Sequence, residues 1–242
     1  MTMLFKEPVQ IPEEQARWME IRGWVYELLM DFLSRPPRMS LIAQWRRRVE
    51  LKNIIPMCQG GKRLKSYLEG IPEENFRQVC YEEAEEYRRL FMGDNAVMIA
   101  CECQYRAKEE SLDALVCLLD IRNTYMESSV VFNKISGERD DHIALELEFM
   151  AVLSEEMLSK AGLHESCLEL ADVQIRFLEN HLMQWAPRFS GELASATSSP
   201  MYIGLAELLV QFLATDLENL YAWRNLQNKC KEDSETGIHR TK

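Results

Sequence analysis

The residues best placed to do chemistry lie in "GERDDHIALELEFM", Gly137 to Met150. At about 100° per residue, the helix that starts here carries Ile143, Leu147, Met150, Leu153 and Met157 on one side. His142 and Glu146 fall on that same apolar side, four residues apart, and Glu148, Glu155 and Glu156 fall opposite. Three roles fit an inward histidine and carboxylate. Glu146 can accept a hydrogen bond from the imidazole as a satisfied pair, with Asp140 or Asp141 capping the helix. Asp141 and His142 can face a ligand or partner at the helix N-terminus, beside an apolar groove. His142 and Glu146 can also share a cation. A helical di-iron centre is the poorest fit, because it needs Glu-x-x-His on two helices. Glu138 precedes His142 by four residues, and Glu179 precedes His181 by two.

Other stretches carry weaker signals. In "EEYRRLFMG", Tyr87, Leu90 and Phe91 form an apolar stripe at helical spacing, and "HLMQWAPRF" repeats the pattern with Leu182, Trp185 and Phe189. Both read first as packing, and His181 as a core or edge histidine. "CEC", Cys101 and Cys103, has no second thiolate pair at metal-ligand spacing. "GGKRLKS" is not a phosphate loop, since Pro56 stands where its first glycine belongs and Arg63 replaces the serine or threonine. No nucleophile elbow or dinucleotide fingerprint occurs. These residues assemble no enzyme, and no metal or cofactor is expected. The competing expectation is a helical metal-dependent oxidoreductase using His142 and Glu146.

The elements that must position these residues are helices. Pro12 opens one that stops at Pro36-Pro37, and a second ends near Pro56. Gly60-Gly61 reads as a loop, and the helix from Pro72 is closed by Gly93. "NAVMIACECQYRA" lacks helical periodicity and reads as a partly buried connection. Two further helices follow, the second running to Gly162, then one from His164 that Pro187 ends or kinks. "SGELASATSSP", Ser190 to Pro200, is the most loop-like segment, and a long apolar helix follows it. The expected fold is all-α, a single-domain multi-helix bundle over residues 1–228, with a polar, frayed tail at 229–242. A monomer or a dimer swapped at a loop such as Ser190 to Pro200 is expected.

The chain has 242 residues, enough for a substantial core, with only 10 Gly and 8 Pro. Its net charge of −11 disfavours nucleic acid and anionic membranes and favours basic partners. The run "WRRRVE" alternates with apolar residues and reads as a solvated helix face. Seven cysteines without framework spacing read as reduced, buried thiols. The first residues lack the apolar core of a secretory signal, and no apolar run is long enough to span a membrane. A cytoplasmic protein without stable membrane insertion is expected.

Taken together, "RGWVYELLMDFLSRPP", "EEYRRLFMG", "ERDDHIALELEFM" and "HLMQWAPRF" resemble the TorD/DmsD/NarJ family of cytoplasmic chaperones for molybdenum enzymes. The likeness covers roughly residues 15–225, and its Asp-His block is the most specific part. It implies a non-enzymatic helical protein of the TorD-like type. Such a protein binds the catalytic subunit of a molybdopterin oxidoreductase, at its twin-arginine signal peptide or elsewhere, until the cofactor is inserted. By the same resemblance Asp141, His142, Tyr87, Leu90 and Phe91 carry partner binding, and Glu138 matches the acid preceding Asp-His; Glu146, inward beside His142, and Tyr105 complete the expected partner-binding set. The chain departs from the family after "LFMG". Where a proline-rich stretch leading to a serine is usual, it has "DNAVMIACECQY", with Cys103 two before Tyr105. The general role survives that departure, and the choice of client is what it affects.

Overall fold

A computed structural model describes residues 13–52, 58–110, 113–132, 139–160 and 164–238. Glu138, Pro12, Pro56 and Gly162 lie outside them. Among the described residues there are ten α-helices and no strand, which agrees with the expected all-α class.

α1 (Glu13–Ser34) buries Met19, Val25, Leu28, Leu29, Phe32 and Leu33 and stops before Pro36, which has no N–H to continue the ladder. α2 (Met39–Lys52) follows, then α3 (Gln59–Glu69), α4 (Phe76–Phe91), α5 (Glu102–Glu110) and α6 (Ala114–Glu127). α7 (Ile143–Ser159), α8 (His164–Phe177), α9 (Met183–Ala196) and α10 (Pro200–Ile238) complete the chain. α1 packs along α7, and α10 along α3, α8 and α9. One continuous apolar core results, in which Trp45, Trp185, Trp223, Phe149 and Phe189 are fully buried.

The first and last helices are tied by a buried ion pair. Arg22 donates to both oxygens of Asp216, at 2.8 and 2.7 Å, and to Gln174 at 2.5 Å. Trp18 and Tyr26 also donate to Asp216, at 3.0 and 2.7 Å. Every oxygen lone pair that burial would strand is thereby engaged, as a buried charge requires.

Four elements differ from expectation. Gly60-Gly61 is helical rather than a loop, because α3 lies directly against α10: a Cβ on Gly60 would sit 2.2 Å from the Leu208 nitrogen. Pro187 lies inside α9 without ending it. The irregularity is upstream, a π-helical turn at Leu178–Leu182. Gln184 donates to the Glu179 carbonyl at 2.6 Å and Arg106 to that of Asn180 at 3.1 Å, so carbonyls in the wide turn are satisfied. Ser190 to Ala196 belongs to α9, leaving only residues 197–199 as a connection, with Ser199 capping α10. α10 continues to Ile238, since its lysines and glutamates carry no breaker until Gly237, and helix therefore runs through the expected boundary at 228.

Residues 92–101 form the expected non-helical connection. Gly93, at φ 80°, takes the left-handed conformation that closes α4.

Candidate functional site

Residues 100–103 and 139–143 are laced together. The Ile143 N–H donates to the Ala100 carbonyl at 2.9 Å, and the Glu102 N–H to the Asp141 carbonyl at 2.8 Å. Cys101 and His142 thereby form an isolated antiparallel bridge. The Asp141 side chain accepts from the Cys103 N–H at 3.1 Å, so it supplies an N-cap to α5 from 38 residues away. Arg139 donates to both its oxygens, each at 2.8 Å.

Asp141 is therefore fully buried, not available at a groove rim as the sequence suggested. Burial alone would raise its carboxyl. The Arg139 guanidinium and the Cys103 N–H outweigh burial and hold it below the usual carboxylate range. Its neighbour Asp140 pairs with Arg122 of α6, and Tyr125 donates to the Asp140 carbonyl at 3.0 Å. His142 is the N-cap of α7, its Nδ1 accepting from the Ala144 N–H at 3.2 Å. That bond needs a neutral ring with its proton on Nε2.

Glu146 does not hold the imidazole. One of its oxygens accepts from the Trp185 indole at 3.1 Å, and the other has no hydrogen-bond partner among the described residues. Complete burial, followed by the nearby Glu102 carboxylate, pushes Glu146 well above the usual carboxylate range. His142 and Glu146 thus serve different partners, so they do not form the shared cation site considered from spacing. Among the described residues no cluster of three or more candidate ligands occurs.

The polar partner that spacing did not reveal is His181. The π-turn rotates it inward, where Nδ1 lies 3.2 and 3.3 Å from the two oxygens of buried Glu102. Arg106 donates to Glu102 at 2.8 Å. Cys101 and Cys103 border this cluster, and burial pushes the Cys101 thiol up to about 12. A hydrogen bond with Cys117, then burial, raises the Cys103 thiol as well. Neither is a thiolate at neutral pH.

An aromatic chain links this knot to the α4 stripe. Tyr87 and Leu90 are buried and Phe91 half-buried. The ring centroids of Tyr87 and Phe91 are 5.0 Å apart, those of Phe91 and Phe189 6.3 Å, and those of Phe189 and Trp185 5.4 Å. Tyr105 lies 5.3 Å from Trp185 and donates to Glu192 at 2.8 Å. The structure therefore brings together Tyr87, Leu90, Phe91, Tyr105, Asp141, His142 and Glu146. It adds Arg139, Glu102, His181 and Trp185, of which Trp185 was readable from sequence only as packing.

These segments coincide with a family likeness. The model of the nitrate reductase delta subunit family matches residues 57–190, and the chain belongs to that family. Chaperone protein TorD of Vibrio atlanticus is 28% identical over 101 residues, 42% of this chain and 46% of that protein. Chaperone protein TorD of Vibrio parahaemolyticus is 30% identical over 82 residues, 33% of this chain and 36% of that protein. The chain thus spans less than half the length of these curated relatives. No solved structure matches it. No helix among the described residues is long and apolar enough to cross a membrane.

Proposed function

We propose that this protein is a cytoplasmic assembly chaperone for a molybdopterin-containing oxidoreductase. It binds the apo catalytic subunit, through a twin-arginine signal peptide or the mature part, and holds it until the cofactor is in place. The observation that carries this reading is the likeness to proteins named chaperone TorD, within a family named for a nitrate reductase subunit. The site geometry supports it. Asp141, His142, Glu102 and His181 are engaged in capping and pairing, so they act as a frame. In this reading Tyr87, Leu90, Phe91, Tyr105 and the Asp141–Glu146 knot, together with Glu138, shape the client-binding module. The excess of acid favours a client segment that is basic rather than nucleic acid. The protein works as a monomer or a swapped dimer, without membrane insertion and without turnover of its own.

The test is affinity capture of the tagged full chain from anaerobically grown cells of its source. Recovery of a molybdoenzyme precursor is expected. A folded bait that captures no such precursor, with unchanged molybdoenzyme activity in cells lacking the protein, removes the reading.

A further inference from the structure

α6 is apolar on two opposite sides. On one, Cys117, Ile121 and Tyr125 are buried and Leu118 and Thr124 half-buried against the bundle. On the other, Leu115, Val116, Leu119 and Met126 keep 61%, 55%, 47% and 67% of their surface in water. A contiguous apolar patch of this kind marks an interaction surface.

The exposed side follows a seven-residue register, written a to g. Val116 and Asn123 take a, Leu119 and Met126 take d, Leu115 and Arg122 take g, and Asp120 and Glu127 take e. All of these positions are exposed, and the buried or half-buried side chains of α6 fall at b, c and f. The fold thus turns the whole seam outward. A β-branched residue at a with leucine at d favours two strands. A single asparagine at a fixes register and strand number at some cost in stability. Two heptads are short for an isolated coiled coil, but α6 is already held as a helix by its buried side, so pairing carries no helix-forming cost.

Charge selects the direction. In a parallel pair, each g residue faces the e residue of the following heptad on the other helix. That sets Arg122 against Glu127 of the second copy, once on each flank. In an antiparallel pair like flanks meet, and the acids at e face the same acids. Arg122 is 50% exposed; Asp140 engages its Nε, and no described residue hydrogen-bonds its terminal nitrogens.

We propose that α6 is a self-association seam, at which two copies of this chain pair their α6 helices side by side and parallel. Val116, Leu119, Asn123 and Met126 meet their own counterparts, and Arg122 reaches Glu127 across the seam. No element is exchanged, which separates this dimer from a swapped one. The seam borders the candidate site, since Arg122 pairs with Asp140 and Tyr125 donates to the Asp140 carbonyl. A contact of two heptads is small for a specific interface, so a dissociation constant on the order of 10 µM is expected. Repulsion between two chains of net charge −11 is screened at physiological salt. At lower concentration the chain is a monomer, so the seam and the chaperone reading stand or fall separately.

Sedimentation equilibrium of the full chain at physiological salt, from about 1 to 500 µM, measures the assembly. Wild type is expected to pass reversibly from monomer to dimer. Leu119→Glu, at an exposed position, should melt as wild type and weaken the dimer at least about tenfold. Asn123→Val should tighten it, because the polar constraint at a is gone. Glu127→Arg should weaken it about threefold, a loss that shrinks as salt rises. Met126→Cys reads the direction: in the parallel seam the two copies of this position meet within disulfide reach. Oxidised glutathione should then give a covalent dimer that wild type does not form. A chain that stays monomeric at the highest concentration, a dimer that Leu119→Glu leaves intact as it would a swapped one, or a missing Met126→Cys cross-link overturns the seam.

Discussion

Asp141 has no contact with water yet keeps its charge. Its folded-state carboxyl titrates below an unfolded aspartate. The stability it contributes is therefore present above the unfolded value of about 3.9 and is lost as pH falls through the folded one. Asp141→Ala removes a cap worth about 1 kcal/mol and an ion pair whose arginine remains half in solvent. A loss of about 2 kcal/mol at pH 7, shrinking towards pH 3, is expected in urea titrations. Glu146 behaves in the opposite sense. Its folded carboxyl is raised, so the unfolded chain ionises first, and stability present below the unfolded pKa is lost as pH rises towards the folded one. Glu146→Gln keeps an acceptor for Trp185 and abolishes that decline, so its melting temperature should exceed wild type at pH 8; an equal or steeper decline would contradict the assignment. Cys101 and Cys103 should resist alkylation until the chain unfolds, as mass spectrometry would show. The sequence placed His142 and Glu146 on the apolar side; Glu146 is fully buried, whereas His142 is half-buried at the helix start. Sequence alone could not show their partners, because spacing along one helix says nothing about an indole 39 residues away or a cap formed across 38.

Helix existence was legible from apolar periodicity, and so was the Gly93 stop. The misread elements are those where tertiary contact overrides a local breaker. Gly60 marks a close approach rather than a turn, and the prediction at this scale follows from it. Gly60→Ala must push the Leu208 backbone aside and should cost about 1–3 kcal/mol. Gly204→Ala, which meets Leu64 backbone at 3.1 Å, should cost less, and Gly23→Ala little. Chemical denaturation of the three variants checks the order. Pro187 sits inside α9 without ending it, and the π-turn upstream contains the buried His181.

Over the whole molecule, α10 serves several partners at once: α3, α8, α9 and, through Asp216, α1. Its described buried side chains end at Trp223 and Gln227. A chain ending at residue 228 should therefore melt within about 2 °C of the full protein, although helix continues beyond that point. A larger drop would show that the last turns hold part of the core.

The Arg22–Asp216 pair has a consequence for the order in which the molecule is made. The two residues are 194 positions apart, and at about 5–20 residues per second the ribosome delivers them on the order of 10–40 s apart. Throughout that interval the first helix carries a guanidinium that cannot enter an apolar interior without its counter-ion. Until the final helix emerges, α1 must stay hydrated or be sheltered. Closure of the first helix onto the last is thus timed by the arrival of one aspartate.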